Sequence, residues 1–262
     1  MVLKICQPYH IVTMSPWPLL VSFNVMFIMS GMISVFVTSV WMLSMVGFLG
    51  LACCVVLWWR DVVRESMYQG YHNSYVISGL EFGMLLFILS EVFFFVSFFW
   101  AYFHYSLSPS MEVGALWPPF GVVSFNAFGV PLLNTVVLLA SGVSITLAHQ
   151  NLLSSKNNMY TNSLALTWLL GGYFLSLQMF EYLSAMFDIS SSVYGSIFYM
   201  ATGFHGFHVL VGSMFLIIIW FRSKRSHFTS THHFGFEAAA WYWHFVDVVW
   251  LFLFTLVYWW GS

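Results

Sequence analysis

The fold class this sequence predicts is all-α, a polytopic membrane protein with seven transmembrane helices, and three observations predict it. Of 262 residues, 60% are hydrophobic, 21% aromatic and only 6% charged, whereas a soluble domain carries about 25% charged residues. Polar breaks and turn residues divide the chain into seven apolar runs of about 20 residues or more, the length that crosses hydrocarbon. With seven crossings, all seven Lys and Arg residues fall on one side. A formal net charge of −2 and the lack of any basic tract leave no footprint for nucleic acid.

The stretch from Met1 to Pro16 holds Lys4 and no Arg, with Pro8, Pro16 and Pro18 interrupting it. It matches neither a secretory signal nor an Arg-rich presequence, so insertion where the chain is made is expected, in a bacterial plasma membrane or inside an organelle. The first two spans are expected over about residues 16–37 and 40–59, the second closing on the interfacial run Trp58-Trp59-Arg60. A polar joint over about 60–74 follows, separating residues 1–59 from 75–262 within what is read as one membrane domain, 1–262.

The third span, about 75–104, opens on Gly79-Leu80-Glu81-Phe82-Gly83, a pattern that lets a neighbouring helix approach closely. The remaining spans are expected at about 130–149, 162–184, 193–221 and 236–260, the last closing on Tyr258-Trp259-Trp260. The third and sixth are near 45 Å at about 1.5 Å per residue and should tilt or project beyond the hydrocarbon. No internal repeat of the transporter kind is visible.

Lys4 precedes the first span; Arg60 and Arg64 follow the second; Lys156 follows the fourth; Arg222, Lys224 and Arg225 follow the sixth. Glu112 and Asp188 lie on the opposite side. Chance would place the basic residues so about once in sixty, which puts the N-terminus on the inner face and the C-terminus outside. The cysteines, Cys6 and the adjacent Cys53 and Cys54, make no disulfide framework and read as structural.

Chemistry could reside in the histidines or the membrane carboxyls. His205 and His208 stand at i, i+3 near mid-membrane, with His244 in the seventh span. A haem or copper centre needs several such ligands converging at one depth, and the other histidines lie at ends or loops. No metal is therefore expected, and interhelical hydrogen bonding is the favoured role of His205, His208, His244 and Asp247. Glu91 sits in Phe87-Ile88-Leu89-Ser90-Glu91-Val92-Phe93-Phe94-Phe95 with no partner one turn away. An ionisable group at mid-membrane costs about 3 kcal/mol or more, so Glu91 is either functional or a neutral clip to His208, Ser141 or Ser144. For Asp247, with His244 three residues before it, the clip is favoured. Trp58 through Ser66 joins aromatics to two guanidinium groups, with His72 beyond. This run, like Arg222-Ser223-Lys224-Arg225, suits an anionic lipid head group or ordinary inner-face anchoring.

Several runs are distinctive: Pro8-Tyr9-His10, Ser15-Pro16-Trp17-Pro18, Trp58-Trp59-Arg60-Asp61 through Ser66, Ser90-Glu91-Val92 and Trp117-Pro118-Pro119. So are Pro131-Leu132-Leu133-Asn134-Thr135 through Ser144, Ala201-Thr202-Gly203-Phe204-His205-Gly206, and His232 through Asp247. On these the chain resembles cytochrome c oxidase subunit III, mitochondrial type, over essentially its whole length. The resemblance implies a two-helix pair and a five-helix bundle with a lipid-filled V-shaped cleft, an N-terminus in the matrix of mitochondria and a C-terminus in the intermembrane space. It implies a non-catalytic inner-membrane subunit without haem or copper, those lying in partner subunits of a complex that reduces oxygen to water with electrons from cytochrome c and pumps protons. The implied role is to support subunit I alongside other subunits, hold anionic and zwitterionic phospholipids, and guide oxygen. The family's membrane carboxylate corresponds to Glu91, and its lipid contacts to Trp59, Arg64, Glu65, His72 and Arg222. Two stretches depart from the family pattern: Ala148-His149-Gln150, where two histidines are usual, and Leu183 through Asp188. Against this scaffold role stand a catalytic redox subunit, which would need metal at His205 and His208, and an independent transporter or proton channel.

Overall fold

The computed structural model describes residues 8–111 and 114–261. Lys4, Cys6 and Glu112, used above, lie outside the described residues. Seven helices are long and apolar enough to cross a membrane: α1 (Trp17–Thr38), α2 (Met42–Met67), α3 (Ser74–Leu107), α4 (Val130–Leu153), α5 (Asn157–Ser184), α6 (Val193–Lys224) and α7 (Phe234–Leu253), the last prolonged by a π-helical end, Phe254–Trp259. No strand forms among the described residues. The chain is a multi-pass, all-helical membrane protein.

Local chemistry sets the helix ends. Pro18 falls at the start of α1 and Pro131 at the start of α4, where a missing N–H costs nothing. Ser39 ends α1 in the left-handed region at φ 59°. The Ser192 hydroxyl accepts from the Gly195 N–H at 3.1 Å and caps α6, as Asn73 Oδ1 accepts from the Val76 N–H at 2.9 Å ahead of α3. The expected polar joint over 60–74 is largely helical, because α2 runs on to Met67. Arg60, Asp61, Arg64 and Glu65 end the apolar run without breaking the helix, since Arg and Glu are good helix formers and leaving hydrocarbon costs a helix nothing. The break comes at Gly70, whose φ is 68°.

The chain divides into two compact units between Leu80 and Glu81, inside the first turns of α3. In the first unit α1 packs on α2 at glycines. A Cβ on Gly31 would run into the Ser44 backbone, one on Gly47 would lie 2.8 Å from Ile28, and one on Gly50 would collide with the Asn24 amide oxygen. Lipid tails give helices no hydrophobic reason to associate, so close backbone approach at small residues supplies the attraction. Asn24 donates to the Leu20 carbonyl at 2.7 Å and to Cys54 Sγ at 3.6 Å. The Gly79 and Gly83 pair, expected to admit a neighbouring helix, faces open space within this chain.

In the second unit α7 is the most enclosed span, with 56% of its most apolar window buried against 44% for α4 and 39% for α6. Its Trp243 and Trp250 are almost fully buried. Gly171 of α5 and Gly212 of α6 leave room for the Trp243 ring, which a Cβ on Gly212 would approach to 3.0 Å.

Replacing Gly47 by Leu should force α1 and α2 apart at a cost of about 1–3 kcal/mol. It should lower the thermal midpoint of the detergent-extracted protein, whereas Gly83→Ala should leave that midpoint unchanged.

Candidate functional site

Interhelical polar pairs run through the second unit. On α6, His208 Nδ1 lies 2.7 Å from the Phe204 carbonyl, and Nε2 lies 3.0 Å from Glu91 Oε2 on α3. A carbonyl only accepts, so Nδ1 carries the hydrogen. Nε2 and the carboxyl therefore share one further proton: an acid donating to neutral imidazole, or imidazolium donating to carboxylate. Both forms leave the pair electrically neutral. Of the three partners expected for Glu91, the structure selects His208; Ser141 and Ser144 serve elsewhere. The Glu91 side chain is 24% exposed and that of His208 11%. Rings enclose the pair: Phe95 at 5.1 Å, Phe94 at 6.2 Å, and Tyr242 and Phe245 each at 6.3 Å from the His208 ring.

His205 points elsewhere. It is fully buried, and its Nε2–H donates to the Val246 carbonyl on α7 at 3.2 Å. Its ring lies against Trp250 at 5.1 Å and Phe174 at 5.5 Å. Three residues apart, the two imidazoles address α7 and α3 and do not converge on a common point. The interhelical hydrogen bond expected of Asp247 and His244 does not form at Asp247 Oδ1, which is buried without a partner. Both face Gly142 of α4, where a Cβ would lie 2.8 Å from Asp247 Oδ2.

Sequence reasoning missed a second set of ties. The Trp243 indole N–H donates to Ser141 Oγ at 2.8 Å, and Ser141 donates to the Leu138 carbonyl at 2.6 Å. Trp250 donates to Thr135 Oγ1 at 3.0 Å, and Thr135 donates to the Pro131 carbonyl at 2.9 Å. Each hydroxyl accepts from α7 while its own hydrogen stays on α4, so both atoms are satisfied. Tyr182 and Thr202 meet at 2.7 Å, and Tyr258 donates to Glu181 Oε1 at 2.6 Å. The visible signal was the spacing of Trp243 and Trp250, seven residues apart on one face.

The residues expected to contact lipid lie in the C-terminal part of α2, in the segment between α2 and α3, and in the last turn of α6. In the first unit His10 Nε2 meets Glu65 Oε2 at 3.2 Å, with Tyr71 stacked on the His10 ring at 5.0 Å and His72 at 6.4 Å. The Trp17 indole donates to Asp61 at 2.8 Å, and Arg60 pairs with Asp61 at 3.1 Å. Trp59 is 61% exposed and Arg64 is exposed. Glu65 is thus engaged inward, while Trp59 and Arg64 face outward. In the second unit Arg222 ends α6 with its guanidinium 4.5 Å over the Phe228 ring and Nε buried without a partner. Lys224 lies 3.8 Å over the Trp220 ring. Between α6 and α7, burial and then the Arg222 and Arg225 charges hold His227 below the usual histidine range.

The family model for cytochrome c oxidase subunit III matches residues 7–262. The chain belongs to the cytochrome c oxidase subunit III family. It is 57% identical to cytochrome c oxidase subunit 3 of Drosophila yakuba over 256 residues, covering 98% of each chain. It is 54% identical to that of Branchiostoma lanceolatum over the same length and shares, and 55% identical to that of Damaliscus lunatus over 254 residues, 97% of each. The matched range takes in Glu91, His208, the Trp243 and Trp250 ties and every lipid-facing candidate.

Glu91→Leu should leave His208 Nε2 without a partner and destabilise the second unit by about 1–2 kcal/mol, the upper range for membrane hydrogen bonds. Glu91→Gln should cost much less, because an amide N–H can donate to the same nitrogen. Equal thermal midpoints for the two variants would show that the pair contributes no stability.

Proposed function

We propose that this chain is a non-redox, lipid-holding subunit of a mitochondrial inner-membrane oxidase that reduces oxygen to water with electrons from cytochrome c and pumps protons. One observation carries the reading. Glu91, the costly acid in mid-membrane, pairs with His208, and the chain of hydrogen bonds ends on the Phe204 carbonyl. A proton path needs polar groups continuing to a surface, and a redox centre at His205 and His208 would need their nitrogens converging on one point. A closed pair instead favours docking and rigidity. Haem and copper then belong to partner subunits, chiefly subunit I, whose durable turnover this chain supports.

Lipid binding rests on the exposed Trp59 and Arg64 and on Arg222. An aromatic beside a guanidinium at helix-end depth suits a phosphate head group, anionic or zwitterionic. Glu65 and His72 enter as shapers of that surface, through the contacts around His10. The basic residues follow α2, α4 and α6, ends that share a side when seven helices cross, which supports an N-terminus in the matrix and a C-terminus in the intermembrane space. The phenylalanine-rich outer face of α3 offers oxygen an apolar route.

In the assembled oxidase, Glu91→Gln should change the initial rate of oxygen consumption by less than about twofold, or about 0.4 kcal/mol in barrier. A large immediate loss would assign Glu91 to the reaction itself. Arg64→Gln combined with Arg222→Gln should lower the phospholipid retained per complex after purification, read by mass spectrometry. Unchanged lipid content would remove these residues from lipid binding.

A further inference from the structure

His149 near the C-terminal end of α4, His233 at the start of α7 and Glu237 in its first turn bring three ligand atoms within 4.8 Å of one another. His233 Nε2 lies 3.2 Å and His149 Nε2 3.9 Å from Glu237 Oε1. His233 Nδ1 lies 3.1 Å from the Thr229 carbonyl. Since a carbonyl only accepts, that nitrogen carries the ring hydrogen and leaves the Nε2 lone pair aimed at the carboxylate. His149 Nε2 is buried with no hydrogen-bond partner. Two histidine nitrogens and a carboxylate oxygen thus face one small space, where one proton can join His233 Nε2 to Glu237 and none joins His149 Nε2 to either. Phe236, fully buried, closes one side, 5.5 Å from the His149 ring.

We propose that His149, His233 and Glu237 form a divalent-cation site, suited to zinc, that fastens the end of α4 to the start of α7. Two imidazoles and one carboxylate are a zinc donor set, with a fourth position left for water. The backbone carbonyl behind His233 supplies the outer hydrogen bond that orients a metal-bound histidine. Tetrahedral ligands about 2.0–2.1 Å from zinc lie about 3.3–3.4 Å apart. The His233–Glu237 spacing already meets this, so only the His149 ring has to swing inward. The cluster went unrecognised in the sequence because His149 stands 84 positions before His233, and neither carries a CxxC or HExxH spacing. Nothing in the site depends on the oxidase reading.

The test uses the assembled complex, stripped with chelator and titrated with zinc chloride alone. The wild type should bind one more zinc per complex than His149→Gln, with affinity at that site reduced about 100-fold or more in the variant. Glu237→Gln should behave alike and serves if His149→Gln fails to assemble. A second measurement needs no variant: zinc should shield His149 and His233 from diethylpyrocarbonate, read residue by residue by mass spectrometry. Equal zinc stoichiometry in wild type and variants, or unshielded modification of both histidines, would overturn the proposal.

Discussion

Hydrocarbon offers a polar side chain no water, so its partner must be another helix or its own backbone. That constraint organises the second unit around α7. Trp243 and Trp250 each present an indole N–H that would be orphaned in lipid, and each finds a hydroxyl on α4 whose own hydrogen goes to a carbonyl. His205 reaches across to the Val246 carbonyl, and Tyr258 closes on Glu181. Each bond is modest in free energy, since polar groups in an unassembled membrane chain also find partners. Their geometric effect is larger: a wide indole seated between Gly171 and Gly212 and held by its N–H fixes rotation as well as depth.

The same constraint explains the acid on α3. This helix meets α6 and α7 through long aromatic side chains, Phe94 against Phe204 at 5.0 Å and Phe95 against Phe245 at 6.1 Å. Rings of that size hold the two backbones apart, and a glutamate is long enough to bridge the gap they create. Among the described residues, Glu91 to His208 is the one side-chain hydrogen bond joining α3 to another helix. An aspartate would fall short by a methylene. The phenylalanines that make Glu91 look isolated along its own helix therefore set the distance at which its partner waits.

Much of this was legible in the sequence, for different reasons at different scales. Seven apolar runs declare seven helices because the bilayer demands length and hydropathy, both of which are local properties. Helix ends were less legible, since the end of an apolar run marks the edge of hydrocarbon and α2 continues for two further turns past Trp59. Pairing was legible only where one partner was conspicuous: Glu91 narrowed to three candidates, of which His208 is real. Asp247 misled, because a partner on another helix was expected for its carboxyl, while Oδ1 is buried without one and the side chain is packed against Gly142, which offers no side-chain donor. The glycines that seat α1 on α2 gave no warning either. Gly79 and Gly83 show the familiar spacing and touch nothing, whereas Gly31, Gly47 and Gly50 matter through what stands opposite them, which no single helix reveals.

Exposure completes the physical picture. The most apolar windows of α1 and α3 are only 6% buried within the chain, and that of α2 17%. On a soluble protein such faces would demand cover; in a membrane lipid tails already cover them, so apolarity alone selects no partner. Selection must come from features that lipid cannot match: ring relief along α3, a partly exposed carboxyl at Glu91, and guanidinium groups at the helix ends. An apolar face without such features stays with lipid, while one carrying them gains shape and hydrogen bonds from a protein neighbour. By that criterion the face of α3 around Glu91 is better equipped for a protein partner than the outer face of α1, whose exposed Ser22, Ser30 and Thr38 hydroxyls all turn back to carbonyls of their own helix.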